Sequence, residues 1–184
     1  MNDVPAGDAG AEIAARVAGG LRDVPDFPTP GIAFKDITPL LADGPRFAAV
    51  IEALAGIARR DTVDLIAGVE ARGFLVAGAI AADLGCGVVP VRKAGKLPPP
   101  TIGLDYTLEY GTARIEVPVD VLSGRRVFLV DDVLATGGTL AAAAQLVAQA
   151  GGTLTGMGVL LELGFLGGRA ALEAVGPLSA LLRA

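Results

Sequence analysis

Two adjacent carboxylates, Asp131 and Asp132, follow the apolar run Val127-Phe-Leu-Val130 and precede a loop of small and hydroxyl residues, Ala135 to Thr139. Each residue type there has a chemical use. Ionised carboxylates only accept hydrogen bonds, so a neutral polyol such as the 2′- and 3′-hydroxyls of a ribose suits them. The backbone N–H groups of Ala135, Thr136, Gly137, Gly138 and Thr139 favour a phosphate monoester, as do the threonine hydroxyls and the positive end of a following helix. A plain βα connection, with polar residues that cap a helix, would use some of the same residues. Two features argue against it. Adjacent acids at the end of a buried strand repel one another, and the loop holds two threonines and two glycines, more than a turn requires. Neither Gly-x-x-x-x-Gly-Lys-Ser/Thr nor Gly-x-Gly-x-x-Gly in a βα turn occurs, which removes ATPase and dinucleotide readings.

Other segments carry side chains able to act with this loop. Asp26 to Pro39 is a proline-stiffened loop displaying Phe27, Phe34 and Lys35. Ile66 to Phe74 runs from an apolar stretch into Glu70-Ala71-Arg72-Gly73 and then a helix, a second anion pocket at a helix N-terminus. Unaided, Arg72 is as well explained by a surface ion pair. Arg92, Lys93 and Lys96 cluster within five positions, although a charge run is most often a solvated face. The chain has no histidine, which excludes Ser-His-Asp and Cys-His catalysis and histidine metal sites. Chemistry must rest on carboxylates, cations, backbone N–H groups, or a metal held mainly by substrate.

The elements that position these residues follow from periodicity. Val127–Val130 reads as a buried parallel strand, with the two acids where it ends, and Leu140–Ala150 carries Leu140, Ala143, Ala144 and Val147 at helical spacing. Leu65–Val69 and Gly87–Val91 read as strands around a helix at Gly73–Leu84, and Thr153–Leu161 as a further strand. Helices are also expected around Ile13 to Leu21 and from about Pro45 to Arg60, with Asp23 to Thr38 irregular. Lys93 to about Glu116, with Pro98-Pro99-Pro100 and alternating Tyr106, Leu108 and Tyr110, reads as a long excursion with a hairpin. Strands alternating with helices predict an α/β domain with a parallel sheet.

Composition narrows the class. At 184 residues, one domain with a sizeable core is the simplest expectation. Hydrophobic residues make up 52% and aromatics only 4%, so the core is built from Ala, Val, Leu and Ile. Glu70, Arg72 and Asp83 interrupt the longest apolar region, leaving no clean span of ~20 apolar residues for a membrane. The first twenty residues are acidic and alanine-rich and do not read as a signal peptide. Cys86 is the only cysteine, so no internal disulfide forms, and a reducing cytoplasmic setting is expected. Set between Gly85 and Gly87, it reads as inert packing. A net charge of −5 argues against general nucleic-acid binding.

The stretch from Val127 to Thr139 resembles the phosphoribosyl-pyrophosphate motif of type I phosphoribosyltransferases. Asp26-Phe-Pro-Thr-Pro-Gly-Ile-Ala-Phe-Lys-Asp-Ile-Thr-Pro39 is similar to the purine-binding segment of the adenine phosphoribosyltransferases within them. The likeness spreads over five separated blocks between about Asp23 and Arg169. It implies the type I phosphoribosyltransferase fold across 1–184: a central, mostly parallel sheet flanked by helices, a flexible hood at 93–116, and residues 1–8 disordered. It also implies a role for each block. The 5′-phosphate would sit on Ala135–Thr139 and the ribose on Asp131 and Asp132. Phe34 would stack on adenine, with the backbone of Ala33 and Lys35 reading its exocyclic amine edge. The diphosphate would meet Glu70, Ala71, Arg72, Arg92, Lys93 and Lys96, with a cis peptide expected at Glu70–Ala71. Glu109 and Arg72 would serve catalysis, and Tyr110 would pack over the closed site. Mg²⁺ would be bound through substrate and water, with no direct protein ligand, and the protein would be a homodimer. The chain departs from the pattern at Ala94, where several relatives carry a basic residue, and in its three consecutive prolines. Its tail after Pro177 is shorter than in many relatives. The implied reaction is transfer of the 5-phosphoribosyl group from 5-phosphoribosyl 1-diphosphate to N9 of adenine, giving AMP and diphosphate. Alternatives are a phosphoribosyltransferase for another base and a non-catalytic nucleotide-sensing regulator of the same fold.

Overall fold

A computed structural model describes residues 8–108 and 111–184. Helix α1 spans Asp8–Ala18, and a small antiparallel pair follows, β1 (Arg22–Val24) with β2 (Phe34–Asp36). This pair lies in the segment expected to be irregular. Its three-residue strands are too short for periodicity to reveal, and the long loop between them carries the prolines. Next come α2 (Thr38–Ala42), α3 (Gly44–Ala58), β3 (Leu65–Val69), α4 (Gly73–Leu84) and β4 (Gly87–Lys93). A hairpin of β5 (Thr101–Leu108) and β6 (Gly111–Pro118) precedes β7 (Arg126–Leu134), α5 (Gly138–Gln149), β8 (Thr153–Glu162) and β9 (Leu178–Arg183). Asp8 opens α1, so the expectation of disorder over residues 1–8 otherwise lies outside the described residues.

Among the described residues the main sheet has seven strands in the order β5-β6-β4-β3-β7-β8-β9. Strands β4, β3, β7, β8 and β9 are mutually parallel, and the hairpin joins antiparallel through Arg92↔Glu116 and Lys93↔Ile115. Both faces of the sheet are covered, which explains why its strands read as unbroken apolar runs. Ile66, Phe128 and Val130 face α1, α3 and α4, while Ala67, Leu129 and Val127 face α5. Small residues set the close approach of α4. A side chain at Gly68 would lie 2.6 Å from the Ala77 Cβ, so glycine brings the helix onto β3. Gly85, at φ 67°, ends α4 in the left-handed conformation that favours glycine.

Several boundaries differ from the sequence expectation: α1 ends at Ala18, and β4 continues to Lys93. Strand β7 does not end before the acids but continues to Leu134, because β8 is long enough to pair with it through Asp131↔Val159 and Val133↔Leu161. On its other side the ladder with β3 stops at Val130↔Gly68, so Asp131 and Asp132 lie past the end of β3. The tail after Pro177 forms the edge strand β9, which pairs with β8 from Met157↔Leu178 to Glu162↔Arg183. Cys86 is partly buried against the α3–α4 side of the core, and burial pushes its thiol pKa up, which fits inert packing. Among the described residues, no helix is long and apolar enough to cross a membrane.

Candidate active site

The C-terminal ends of β3 and β7 open onto a cleft of about 590 Å³, where open parallel sheets bind ligands. Three separated segments meet there: Ala33, Phe34 and Lys35 from β2 and its approach, Glu70, Ala71 and Arg72 after β3, and Asp131 and Asp132 on β7. Ala135, Thr139 and Lys93 complete much of the wall. A smaller cavity of about 70 Å³ adjoins it, lined by Ala135 through Leu140 and by Asp131.

That smaller cavity is shaped by the turn into α5. Gly137 adopts φ 86°, and no side chain caps the helix, so its first N–H groups are left to a ligand or water. The Thr139 hydroxyl lies 3.5 Å from the Tyr106 hydroxyl of β5, which links the hairpin to this loop. The loop therefore leaves N–H and O–H donors facing a small cavity.

The two acids beside it differ in environment. Asp132 is ion-paired with Arg72, while Asp131 accepts the Asp132 N–H at 2.9 Å. Burial first, and the neighbouring Asp132 carboxylate second, hold the Asp131 carboxyl well above the usual carboxylate range. Gly73, the first residue of α4, allows this crowding: a Cβ there would lie 3.1 Å from Asp131 Oδ1 and from the Val130 carbonyl.

The cations are likewise engaged. Arg72 lines the cleft. Its guanidinium pairs with Asp132 and sits 5.7 Å from the centre of the Phe34 ring, between the Phe34 segment and the acids. The physical reason is charge: the Asp132 carboxylate lies within reach of the guanidinium. Glu70 takes up the basic cluster in the same way. Lys96 Nζ lies 2.6 Å and Arg92 Nε 3.3 Å from its carboxylate, which also accepts the Lys93 N–H at 3.0 Å. The Lys96 hydrogen bond is the main cause that brings the Glu70 pKa down to about 2, against an opposing effect of burial. Arg92 also lies 5.8 Å from the Phe74 ring centre.

In the segment from Asp26 to Pro39, Phe34 meets Phe27 edge to face, with ring centres 5.1 Å apart. The Lys35 ammonium is drawn 2.6 Å from Asp23, and Lys35 remains part of the cleft wall. The peptide between Glu70 and Ala71 is cis, as expected. Glu109 and Tyr110, the expected hood residues, lie outside the described residues. Ile32, Tyr106, Val133 and Leu163 also line the cleft, although none was singled out from sequence as a site residue. Leu163 follows directly on β8, and the rule that ligands gather beyond strand C-termini would have pointed to it.

Among the described residues, no group of three or more His, Cys, Asp or Glu is arranged to hold a metal ion.

Comparisons with known proteins agree with this geometry. Residues 40–164 match the family model described as the phosphoribosyl transferase domain. The chain is 57% identical over 169 residues to the adenine phosphoribosyltransferase of Mycolicibacterium gilvum, covering 91% of this chain and 93% of that protein. It superposes on the crystal structure of adenine phosphoribosyltransferase from Rhodothermus marinus with a TM-score of 0.89 and 44% identity, covering 95% of this chain and 99% of that one. For the Saccharomyces cerevisiae enzyme, solved with an imino-altritol bisphosphate and adenine, the TM-score is 0.87 and the identity 38%, over 94% of this chain and 99% of the other. The family match over residues 40–164 and the extent of these likenesses show that the chain belongs to the adenine phosphoribosyltransferase family of type I phosphoribosyltransferases.

Proposed function

We propose that this protein transfers the 5-phosphoribosyl group from 5-phosphoribosyl 1-diphosphate to N9 of adenine, producing AMP and diphosphate for purine salvage. The observation that carries the reading is the meeting of Phe34, Arg72, the Asp131–Asp132 pair and the Ala135–Thr139 loop around one cleft. The 5′-phosphate is assigned to the loop, the ribose hydroxyls to the two acids, and adenine to Phe34 with the backbone of Ala33 and Lys35. The diphosphate is assigned to the Glu70–Arg72 turn with Arg92, Lys93 and Lys96.

Displacement at the anomeric carbon builds positive charge on the ribose and negative charge on the departing diphosphate, as in glycoside cleavage. Carboxylates beside the sugar and cations beside the leaving group stabilise both charges. Substrate must first exchange ion pairs. Ribose hydroxyls replace Arg72 at Asp132, and the diphosphate replaces Glu70 at Lys96 and Arg92. Arg72, released from Asp132, is then available to the diphosphate, which reconciles its position with the expected role. Mg²⁺, carried by the substrate oxygens, supplies further neutralisation of the leaving group. The excursion over 93–116, which includes most of the β5–β6 hairpin, is assigned the hood that excludes water competing with adenine. Within it, Glu109 is assigned the proton shared between adenine N7 and N9, and Tyr110 the cover of the closed site. A homodimer in the cytoplasm completes the reading: the single cysteine suits a reducing compartment, and light scattering tests the dimer.

The test is AMP formation from adenine and 5-phosphoribosyl 1-diphosphate with Mg²⁺, with hypoxanthine, guanine, xanthine and orotate in parallel. Turnover with adenine alone supports the whole reading. Turnover with another base removes the assignment of Ala33, Phe34 and Lys35. No turnover by folded protein that binds AMP favours a nucleotide-sensing regulator. Glu109→Gln is expected to lower kcat, and a rate equal to wild type removes its assigned role.

A further inference from the structure

The phosphate loop does not stand free. Behind it runs the segment after β8, and the two backbones touch at a pair of glycines. A Cβ on Gly168 would lie 2.1 Å from the Ala135 carbonyl oxygen and 2.9 Å from the Gly137 nitrogen. Reciprocally, a Cβ on Gly137 would lie 2.4 Å from the Gly168 carbonyl oxygen and 3.1 Å from the Ala171 Cβ. Real Cβ atoms do not approach backbone this closely, so both positions require glycine while the two segments keep this spacing.

An ion pair next in the chain anchors that segment. Glu162, the last residue of β8, is 1% exposed. It accepts hydrogen bonds from Arg169 Nε at 3.0 Å and from Arg169 Nη2 at 2.5 Å. Arg169 Nη1 donates to the Leu178 carbonyl at 3.0 Å, tying the segment to β9, and Arg183 stands 3.4 Å from Glu162. The Leu163 N–H donates to the Leu134 carbonyl just before the phosphate loop, and Leu172 is buried against the α5 side of the core. The segment is thus pinned at its start, its middle and its end, with Gly168 next to the arginine that pins the middle. The charged pair has its guanidinium donors directed at defined acceptors, the arrangement in which a buried pair sets geometry.

We propose that Gly168, held by the Glu162–Arg169 pair, is a positioning residue that sets the shape of the 5′-phosphate loop. It acts through Ala135 and Gly137 and does not itself contact substrate. The proposal rests on the reading of Ala135–Thr139 as the 5′-phosphate cradle. A loop whose donors must converge on one tetrahedral anion loses affinity when its backbone shifts by about an ångström.

Calorimetric titration of the full chain with ribose 5-phosphate and, separately, with adenine tests this. If wild type does not bind ribose 5-phosphate, the cradle reading falls and the proposal with it. If wild type binds, Gly168→Ala is expected to weaken ribose 5-phosphate at least tenfold while adenine stays within twofold. Ribose 5-phosphate affinity within twofold of wild type overturns the proposal alone, as does equal weakening of both ligands. Should Gly168→Ala fail to fold, Arg169→Lys decides. It keeps the charge on Glu162 but loses the fork that also reaches Leu178. The expected result is a KM for 5-phosphoribosyl 1-diphosphate raised at least threefold with the adenine KM unchanged, and an unchanged or parallel shift overturns the proposal.

Discussion

Lys96 brings its ammonium 2.6 Å from the Glu70 carboxylate across 26 residues of chain, and Arg92 closes on the same carboxylate at 3.3 Å. Glu70 thereby occupies the cations assigned above to the diphosphate. Removing its charge should leave Lys96 and Arg92 open to the anion. Glu70→Gln is expected to tighten diphosphate binding several-fold at low salt, with the gain shrinking as ionic strength rises. Titration calorimetry checks it. Weaker binding would mean that Glu70 orders the cations and does not compete for them.

The same carboxylate carries an acid-stability signature. Its folded pKa is about 2 against an ordinary value of 4.5. Because the folded pKa is the lower, its contribution is complete above the ordinary value and fades as pH falls from there to about 2. Thermal unfolding of wild type and Glu70→Gln should therefore differ most above about pH 4.5 and converge near pH 2. A difference that stays constant through this window would assign the effect to shape.

Asp131 behaves in the opposite sense. Its folded pKa lies above the ordinary 3.8, so the folded state keeps a proton that the unfolded chain gives up. Its contribution to stability is then largest in acid and declines as pH rises from near 3.8 through the folded value. Asp131→Asn removes this loss, and its Tm relative to wild type should climb with pH over that interval. Above the folded value the same change also removes an ionic acceptor for a ribose hydroxyl, worth about 1.5–3 kcal/mol in kcat/KM. Stability gained together with activity lost is the expected pair of results.

Phe34 is expected to separate the substrates kinetically. Phe34→Ala should raise the adenine KM by the equivalent of about 1–3 kcal/mol, the usual range for a base on an aromatic ring. The KM for 5-phosphoribosyl 1-diphosphate should stay near wild type. Initial-rate kinetics with each substrate varied in turn provide the check.

Phe128 tests the core beneath the site. Its ring lies over β8 where Gly156 and Gly158 leave room, and a Cβ at Gly158 would approach it to 3.0 Å. Phe128→Ala should cost about 3–5 kcal/mol in urea unfolding. Ribose 5-phosphate affinity at low temperature should change little, because Phe128 faces α3 and α4, on the side of the sheet away from α5.

Where local chemistry decides, the chain was readable. Helix α4 begins and ends at the expected residues, Gly73 and Leu84, because an apolar run with a left-handed glycine at its end needs no distant partner. Strand β3 matches for the same reason: unbroken apolar residues mark a strand covered on both faces. The acidic pair and the Ala135–Thr139 loop suggest a chemistry because their residue types are unusual in close succession, whereas the Phe34 segment takes its expected role from the family resemblance. Tertiary structure decided what meets across the chain. The partner of Arg72 is Asp132, 60 residues away, and no spacing rule links them. The end of β7 depends on the length of β8, and β9 exists because β8 offers it an edge. The close approach of Gly168 to the Ala135 backbone joins segments distant along the chain. Periodicity and turn chemistry act over a few residues, whereas close packing and charge pairing act through space, so the first can be read along a sequence and the second only in the folded chain.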